Sequence, residues 1–527
     1  MARRRIRSTP PILIDSEGRS VSRATRRFGF REKRMSYVPC LRLLLTMWVG
    51  RVTINILPDD VFLHIFFIDG YYHYEDPAVD FNVDFGEYRV GRLSWRWHRL
   101  VHVCSRWRSI VFASPNYLDL RLVCGPRTRM ELTSIWPPLP IIITNTFHPY
   151  TPMPKDYDFN NAIVHPDRVR EIRLFKLTRL QLQGLASATR MQEQFSALIH
   201  LLLACTSRSA MALPDGFLGV SAPRLQSLLL SSITFPALPK FLLSTTDLVR
   251  LILYNIPHSG YFSPETIVAR LAVMPNLDYL GISFQSPLSC PHRENRRPPP
   301  PIRTVLPALT RIEFRGASEY LEDFVSRIDT PLVDFVDITF FHQLIFDIPQ
   351  LAQFMGRSTR FQELKEAHVG FGYNSVYVKT HLPRLVIPKP SGLGISCKAL
   401  DWQLSSLAQV LTSFYPSIYM VEHLYIHEPG PEVSQTEWQV DIENMQWLDI
   451  FHPFTAVKDL YLPKKFLPSI APALQELVGG RTTEVLPILQ NILLGELEPS
   501  ELIQEGIREF VSDRQLSGQP ITVSLWY

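Results

Sequence analysis

Leu225-Gln226-Ser227-Leu228-Leu229-Leu230 and, 23 residues further on, Leu248-Val249-Arg250-Leu251-Ile252-Leu253 share one pattern, apolar-x-x-apolar-x-apolar. The same spacing occurs at Val169/Ile172/Leu174, Leu198/Leu201/Leu203, Leu277/Leu280/Ile282, Leu309/Ile312/Phe314 and Val333/Val336/Ile338. The seven copies start 29, 27, 23, 29, 32 and 24 residues apart. Apolar residues two apart line one face of a strand. A period of roughly 20–50 residues marks an array whose units bury their apolar strands only against their neighbours. Pro223, Pro275 and Pro307 stand two residues ahead of Leu225, Leu277 and Leu309 and end the preceding element. Weaker copies are read at Val421/Leu424/Ile426 and Val457/Leu460/Leu462, and a doubtful one at Phe361/Leu364. An ordinary α/β domain with leucine-rich strands is the competing reading of the same triplets.

These copies resemble irregular leucine-rich repeats. They lack the family's Asn ladder, because the third residue past the last apolar position is Ile233, Ile256 or Gln285 in three of them. Variable length and a missing Asn predict a distorted arc. Alternation puts the intervening residues on the other sheet face, among them Glu171, Arg173, Ser227, Leu229, Ile252 and Glu313. Arg250, Tyr254, Tyr279, Arg311 and Arg315 are the candidate target-binding residues on that face, since Arg and Tyr are favoured where interfaces gain most of their energy.

Upstream, Leu57-Pro58-Asp59-Asp60-Val61-Phe62-Leu63-His64-Ile65-Phe66 predicts a helix. Pro58 suits its first turn, and Asp59 and Asp60 suit the positive end of its dipole. Val61 to Ile68 is apolar on every side except His64, so the helix must be covered all round, by its own domain or by a partner. Trp97, Leu100, Cys104, Trp107 and Val111 recur at helical spacing in a second run, broadened by Val103 and Ile110.

The two runs together resemble an F-box, whose motif joins Leu-Pro and a helix ending Ile-Phe to a later Val-Cys-x-x-Trp core; here these are Leu57-Pro58, Ile65-Phe66, Val103-Cys104 and Trp107. The resemblance implies a Skp-family adaptor bound through Leu57, Pro58, Val61, Ile65, Phe66, Leu100, Val103, Cys104, Trp107 and Ile110. It also implies a role as substrate-recognition subunit of an SCF-type cullin-RING ubiquitin ligase that performs no chemistry itself. Asp69 to Ser94 is an insert where F-boxes have a short connection; it holds Tyr71, Tyr72, His73 and Tyr74, and six acidic residues against Arg89 and Arg92. With Trp-Pro-Pro-Leu-Pro-Ile-Ile-Ile at 136–143 and Val-Gly-Gly-Arg-Thr-Thr-Glu at 478–484, it makes the chain similar to the expanded F-box families of mushroom-forming fungi.

The expected fold class is therefore α/β: a helical F-box followed by an irregular leucine-rich-repeat-like solenoid of curved sheet and helices. The expected divisions are a basic, disordered arm (1–50), the F-box (51–120, insert at 69–94), a linker (121–160), the array (161–480) and a C-terminal cap (481–527). Glu484–Leu494 and Glu498–Val511 read as amphipathic cap helices, and Ile521–Trp526 as a last strand.

The 527 residues are 46% hydrophobic with a net charge of +4, within the range of folded proteins. Residues 1–51 hold thirteen Lys and Arg against Asp15, Glu17 and Glu32, a net of +10, leaving −6 for the rest. The arm reads as a solvated tail, a nuclear address or nucleic-acid contact through Arg3-Arg4-Arg5 and Arg26-Arg27, or a mitochondrial presequence. Tyr37–Val49 is too short to span a bilayer. Six scattered cysteines suit a reducing compartment, so the expected location is cytoplasm and/or nucleus, with neither membrane nor nucleic acid as a partner.

Signatures of phosphate-binding, serine-hydrolase and zinc-protease sites are missing, and no enzyme activity or cofactor is expected. Gly370-x-Gly372 and Gly392-x-Gly394 are isolated glycine pairs. His98, His102 and Cys104 share one predicted helix, where a metal site competes with a structural role; no metal is expected. Arg296-Arg297 and Pro298–Pro301 read as a stiff loop or an SH3-type ligand. The alternatives to a ligase receptor are a leucine-rich interaction scaffold with a degenerate or non-ligase F-box, and a hydrolase or transferase in an α/β domain.

Overall fold

The computed structural model describes residues 57–71, 96–125, 138–145, 159, 163–206, 211–287, 302–343, 345–358, 361, 364–372, 375–381, 391–397, 400–414, 418–427, 444–495 and 501–526. The basic arm, the insert from residue 72 onward, residues 146–157 and the polyproline run lie outside them. The chain divides into two compact units, residues 1–65 and 66–527, with the boundary inside the helix Asp59–Tyr71. In the first unit that helix begins as its acidic first turn predicts. Pro58 stands one residue outside it, and its carbonyl accepts the first helical bond from the Phe62 amide at 3.2 Å.

Where the sequence predicts one helix across Trp97–Val111, the second unit has two, Arg96–Val101 and Ser105–Ala113. The cause is Cys104. Its backbone is extended, and its sulfur accepts from the Trp107 amide at 3.5 Å, capping the second helix. The Val101 carbonyl left at the break accepts from Arg108 Nε at 3.0 Å.

The rest of this unit is mixed α/β. Sixteen strands form one sheet, and the described residues of the chain contain twelve α-helices. In chain order the strands are β1 Leu122–Cys124, β2 Ile141–Thr144, β3 Val169–Leu177, β4 His200–Cys205, β5 Ser227–Ser231 and β6 Arg250–Ile256. They continue as β7 Tyr279–Phe284, β8 Arg311–Gly316, β9 Phe335–Phe341, β10 Glu366–Phe371, β11 Val376–His381 and β12 Ser391–Ser396. β13 His423–His427, β14 Asp459–Leu462, β15 Asn491–Leu494 and β16 Thr522–Leu525 complete the sheet. All seven strong copies fall on β3 to β9, parallel neighbours in which Leu228 meets Leu251, Leu251 meets Leu280 and Leu280 meets Ile312. The leading apolar residues, Leu198, Leu225, Leu248, Leu277 and Leu309, are buried at the turn before each strand.

A backbone ladder joins successive units at the turn before each strand. One carbonyl per unit accepts from two successive amides of the next: Gln226 O from Val249 and Arg250, Val249 O from Asp278 and Tyr279, Asp278 O from Thr310 and Arg311. Ile233 and Ile256 are buried, and the chain turns away from β3, β5 and β6 through left-handed residues Lys176, Ser232 and Asn255.

Chain order breaks after β9. Its parallel neighbour is β12, and β11 and β10 follow antiparallel, with β10 parallel to β13. The doubtful copy at Phe361/Leu364 proves to be Leu364/Ala367/Val369, since Ala367 meets Leu424 and Val369 meets Ile426. The C-terminal expectation is corrected too: Glu484–Leu494 is no helix but turns and strand β15, because Leu489/Ile492/Leu494 is a further copy, with Ile492 opposite Leu460. The second expected helix is present as Glu501–Leu516, and β16 is the last strand.

Candidate functional site

In residues 57–65 of the first unit, Phe62 is buried, Leu57 is half-buried, and Pro58, Val61 and Ile65 are exposed. A branched apolar side chain 46% open to water, as Ile65 is, on a helix with so little polar surface is an unmatched face.

In the second unit, Phe66 and Ile110 are buried, and the Phe66 ring packs 4.9 Å from Trp107. Leu100, Cys104 and Trp107 are half-buried, while Val103 is 58% exposed in the break between the two short helices. Phe67 and Ile68 are exposed as well, Phe67 lying 5.2 Å from Tyr117. Both belong to the apolar run Val61 to Ile68 read from the sequence, but they are not among the residues that the F-box resemblance implies for the adaptor. The motif residues thus sort by role. Phe66 and Ile110 hold their unit together, and Pro58, Val61, Ile65 and Val103 are exposed to water.

His98 and His102 adjoin, ring centres 5.9 Å apart, and burial followed by the neighbouring His102 lowers the His98 pKa. His102 lies past the helix end, and Cys104 is occupied as a cap. Among the described residues no group of three His, Cys, Asp or Glu is placed to hold a metal, and no helix is long and apolar enough to cross a membrane.

The second surface is the sheet face carrying the alternate residues. Arg250 and Arg311 are exposed there and Tyr254 and Arg315 half-buried, but Tyr279 is buried, packed with Leu229 and Ile252 and joined by Leu202. Burial and the carboxylate of Glu313, which accepts a hydrogen bond from the Tyr279 hydroxyl, drive the Tyr279 pKa upward. At the N-terminal end, buried Glu171 lies between Arg121 at 2.7 Å and Arg173 at 2.6 Å.

The C-terminal strands carry a ring stack on this face that sequence reasoning missed. His368 lies 4.5 Å from Tyr425 and nearly parallel to it, Tyr425 lies 4.0 Å from Tyr461, and Trp526 stands edge-on 5.5 Å from Tyr461. His368 Nδ1 and His427 Nε2 are 2.8 Å apart, sharing one proton between two imidazoles. The signal was present as His423-x-Tyr425-x-His427, the alternate positions of a weak copy.

Burial, then Lys379, lowers the His427 pKa. A base whose folded pKa lies below its unfolded value of about 6.5 binds more protons unfolded, so its contribution to stability is lost as pH falls through that window. The denaturation midpoint should fall between pH 7.5 and 5.5, and His427→Gln should flatten part of that slope. An unchanged slope in the variant would remove His427 as a cause. His98 and His200, both lowered chiefly by burial, leave a residual slope.

No model of a known protein family matches the chain, and no curated protein matches its sequence.

Proposed function

We propose that the chain is the target-binding subunit of a cullin-RING ubiquitin ligase, docking a Skp-family adaptor through its N-terminal helices and holding a target on the alternate face of its sheet. In this reading it brings two proteins together and supplies no catalytic group, its strands form an irregular leucine-rich-repeat-like array, and it works in the cytoplasm and/or nucleus. The observation that carries the reading is the exposure of Val61, Ile65 and Val103, apolar members of an F-box-like motif of which only Phe66 and Ile110 are fully buried. Apolar residues left in water at motif positions are what a docking helix needs and what a private core does not.

The test is co-purification of the full chain with a recombinant Skp-family adaptor and cullin, beside a Val61→Asp/Ile65→Asp/Val103→Asp variant. Burying unpaired carboxylates at an interface should weaken binding by at least ~100-fold, about 3 kcal/mol, with the far-UV circular dichroism unchanged. Absence of adaptor with the unmodified chain, or equal binding by a folded variant, overturns the proposal.

A further inference from the structure

Arg311, Glu313 and Arg315 occupy alternate positions of β8 and so share the target-facing side of the sheet. Arg311 is exposed, and beyond its backbone bond to Asp278 its side chain makes neither a hydrogen bond nor an ion pair among the described residues. Arg315 also lacks a carboxylate partner there; its guanidinium lies 5.8 Å from the centre of the Phe341 ring, and its Nε is screened from water and unbonded. Its register partners across the neighbouring strands are Ser283 and Thr339. The Ser283 hydroxyl is buried, the residue only 6% exposed, and it too is unbonded.

A guanidinium flanked by two hydroxyls is an anion-recognition arrangement awaiting an acceptor. Leaving such donors unpaired costs stability, and a ligand carboxylate that draws the side chain outward would satisfy them. Between the two arginines, the Glu313 carboxylate is engaged by the Tyr279 hydroxyl. The other charged groups of the neighbouring rows are Arg250 and Asp337, both exposed.

Along its length the strand therefore presents cation, anion, cation. Positions four apart on a strand are ~13 Å apart, the separation of residues i and i+4 in an extended peptide. We infer that the face of β8 recognises an extended target segment of the form Glu-x-Lys-x-Glu, its two outer carboxylates meeting Arg311 and Arg315 and its central ammonium meeting Glu313. The inference rests on reading the sheet as the target-binding surface and is independent of adaptor docking.

The probe is a fluorescently labelled Ser-Glu-Ser-Lys-Ser-Glu-Ser peptide, titrated against the purified full chain without adaptor and followed by anisotropy at low and high salt. Binding that weakens with salt, falls at least tenfold in Arg311→Ala/Arg315→Ala, and is unaffected by Lys379→Ala on a distant strand is the expected result. A Ser-Lys-Ser-Lys-Ser-Lys-Ser peptide should not bind the natural chain but should bind Arg311→Glu/Arg315→Glu, whose three alternate positions on β8 are then all anionic. A third peptide with phosphoserine in place of both glutamates separates the two sources of anion, since tighter binding assigns the site to phosphorylated targets and weaker binding to carboxylates. No binding of any acidic peptide, or binding indifferent to both double variants, overturns the inference whatever the adaptor experiment gives.

Discussion

Arg514→Leu is expected to destabilise the protein by about 3 kcal/mol, seen as a fall in the urea midpoint without a change in the strands that form. Arg514 lies in the helix Glu501–Leu516 and is completely buried. It donates through Nη1 to the Pro487 carbonyl at 3.1 Å and to Gln519 Oε1, and through Nη2 to the Leu486 carbonyl, with the Phe510 ring 5.6 Å from its centre. Burial lowers its pKa. Leu486 is in the left-handed region at φ 50°, and its carbonyl is held in that strained turn by the guanidinium. Removing the side chain's donors strips a charged partner from the Pro487 carbonyl and from Gln519 Oε1 and leaves the Leu486 carbonyl with the Leu489 amide alone, at about 1–3 kcal/mol for each bond lost. The gain from no longer burying a charge offsets part of that. Arg514→Lys should cost less, because an ammonium can reach one of the carbonyls. Equal midpoints for the leucine variant and the natural chain would show that the guanidinium is not what secures the turn.

Glu322→Ala should cost a similar amount, about 3 kcal/mol, for a different reason. Glu322 is a buried carboxylate on the helix Ser318–Ser326, and it caps the next helix in the chain, Pro349–Arg357. Its two oxygens accept from the Gln350 amide at 2.9 Å and the Leu351 amide at 2.7 Å. These are charge-assisted bonds at the positive end of a helix, each worth about 1.5–3 kcal/mol. Ile348 at the cap position makes no such bond itself. Glu322→Gln keeps an acceptor but loses the charge, so about 1 kcal/mol is expected. Hydrogen exchange of the Gln350 and Leu351 amides should speed up in the alanine variant, and unchanged protection there would sink the capping account.

Neither of these residues advertises itself in sequence. Glu322 sits in an ordinary amphipathic helix and Arg514 among several charged neighbours, and their partners lie 28 residues away in the chain. By contrast the strands β3 to β9 were legible, because each must bury the same face in the same register and only apolar residues at fixed spacing can do so. The unit at Leu364/Ala367/Val369 was misplaced by three residues because Ala367 is small enough to escape an apolar pattern. The hairpin β11 and β12 was invisible, since its order depends on pairing between distant segments. On the alternate face, alternation identified Arg250, Tyr254, Arg311 and Arg315 as outward but could not show that Tyr279 folds down over Gly281, where a Cβ would meet its ring at 3.4 Å. Periodicity also could not reveal the helix break at Cys104, which a sulfur cap decides.

The reversed placement of β10, β11 and β12 governs how the chain can fold. From β3 to β9 each strand docks on the one just made, so loop closure stays short and structure can spread in chain order. At β9 that progress stalls, because its partner lies 55 residues ahead, where Val336 meets Ser391. The antiparallel meander must be assembled first and then slotted between two growing sections. The molecule should accordingly condense from two nuclei, one on each side of residue 366, and the join at β9 and β12 should be the last seam to close and the first to part.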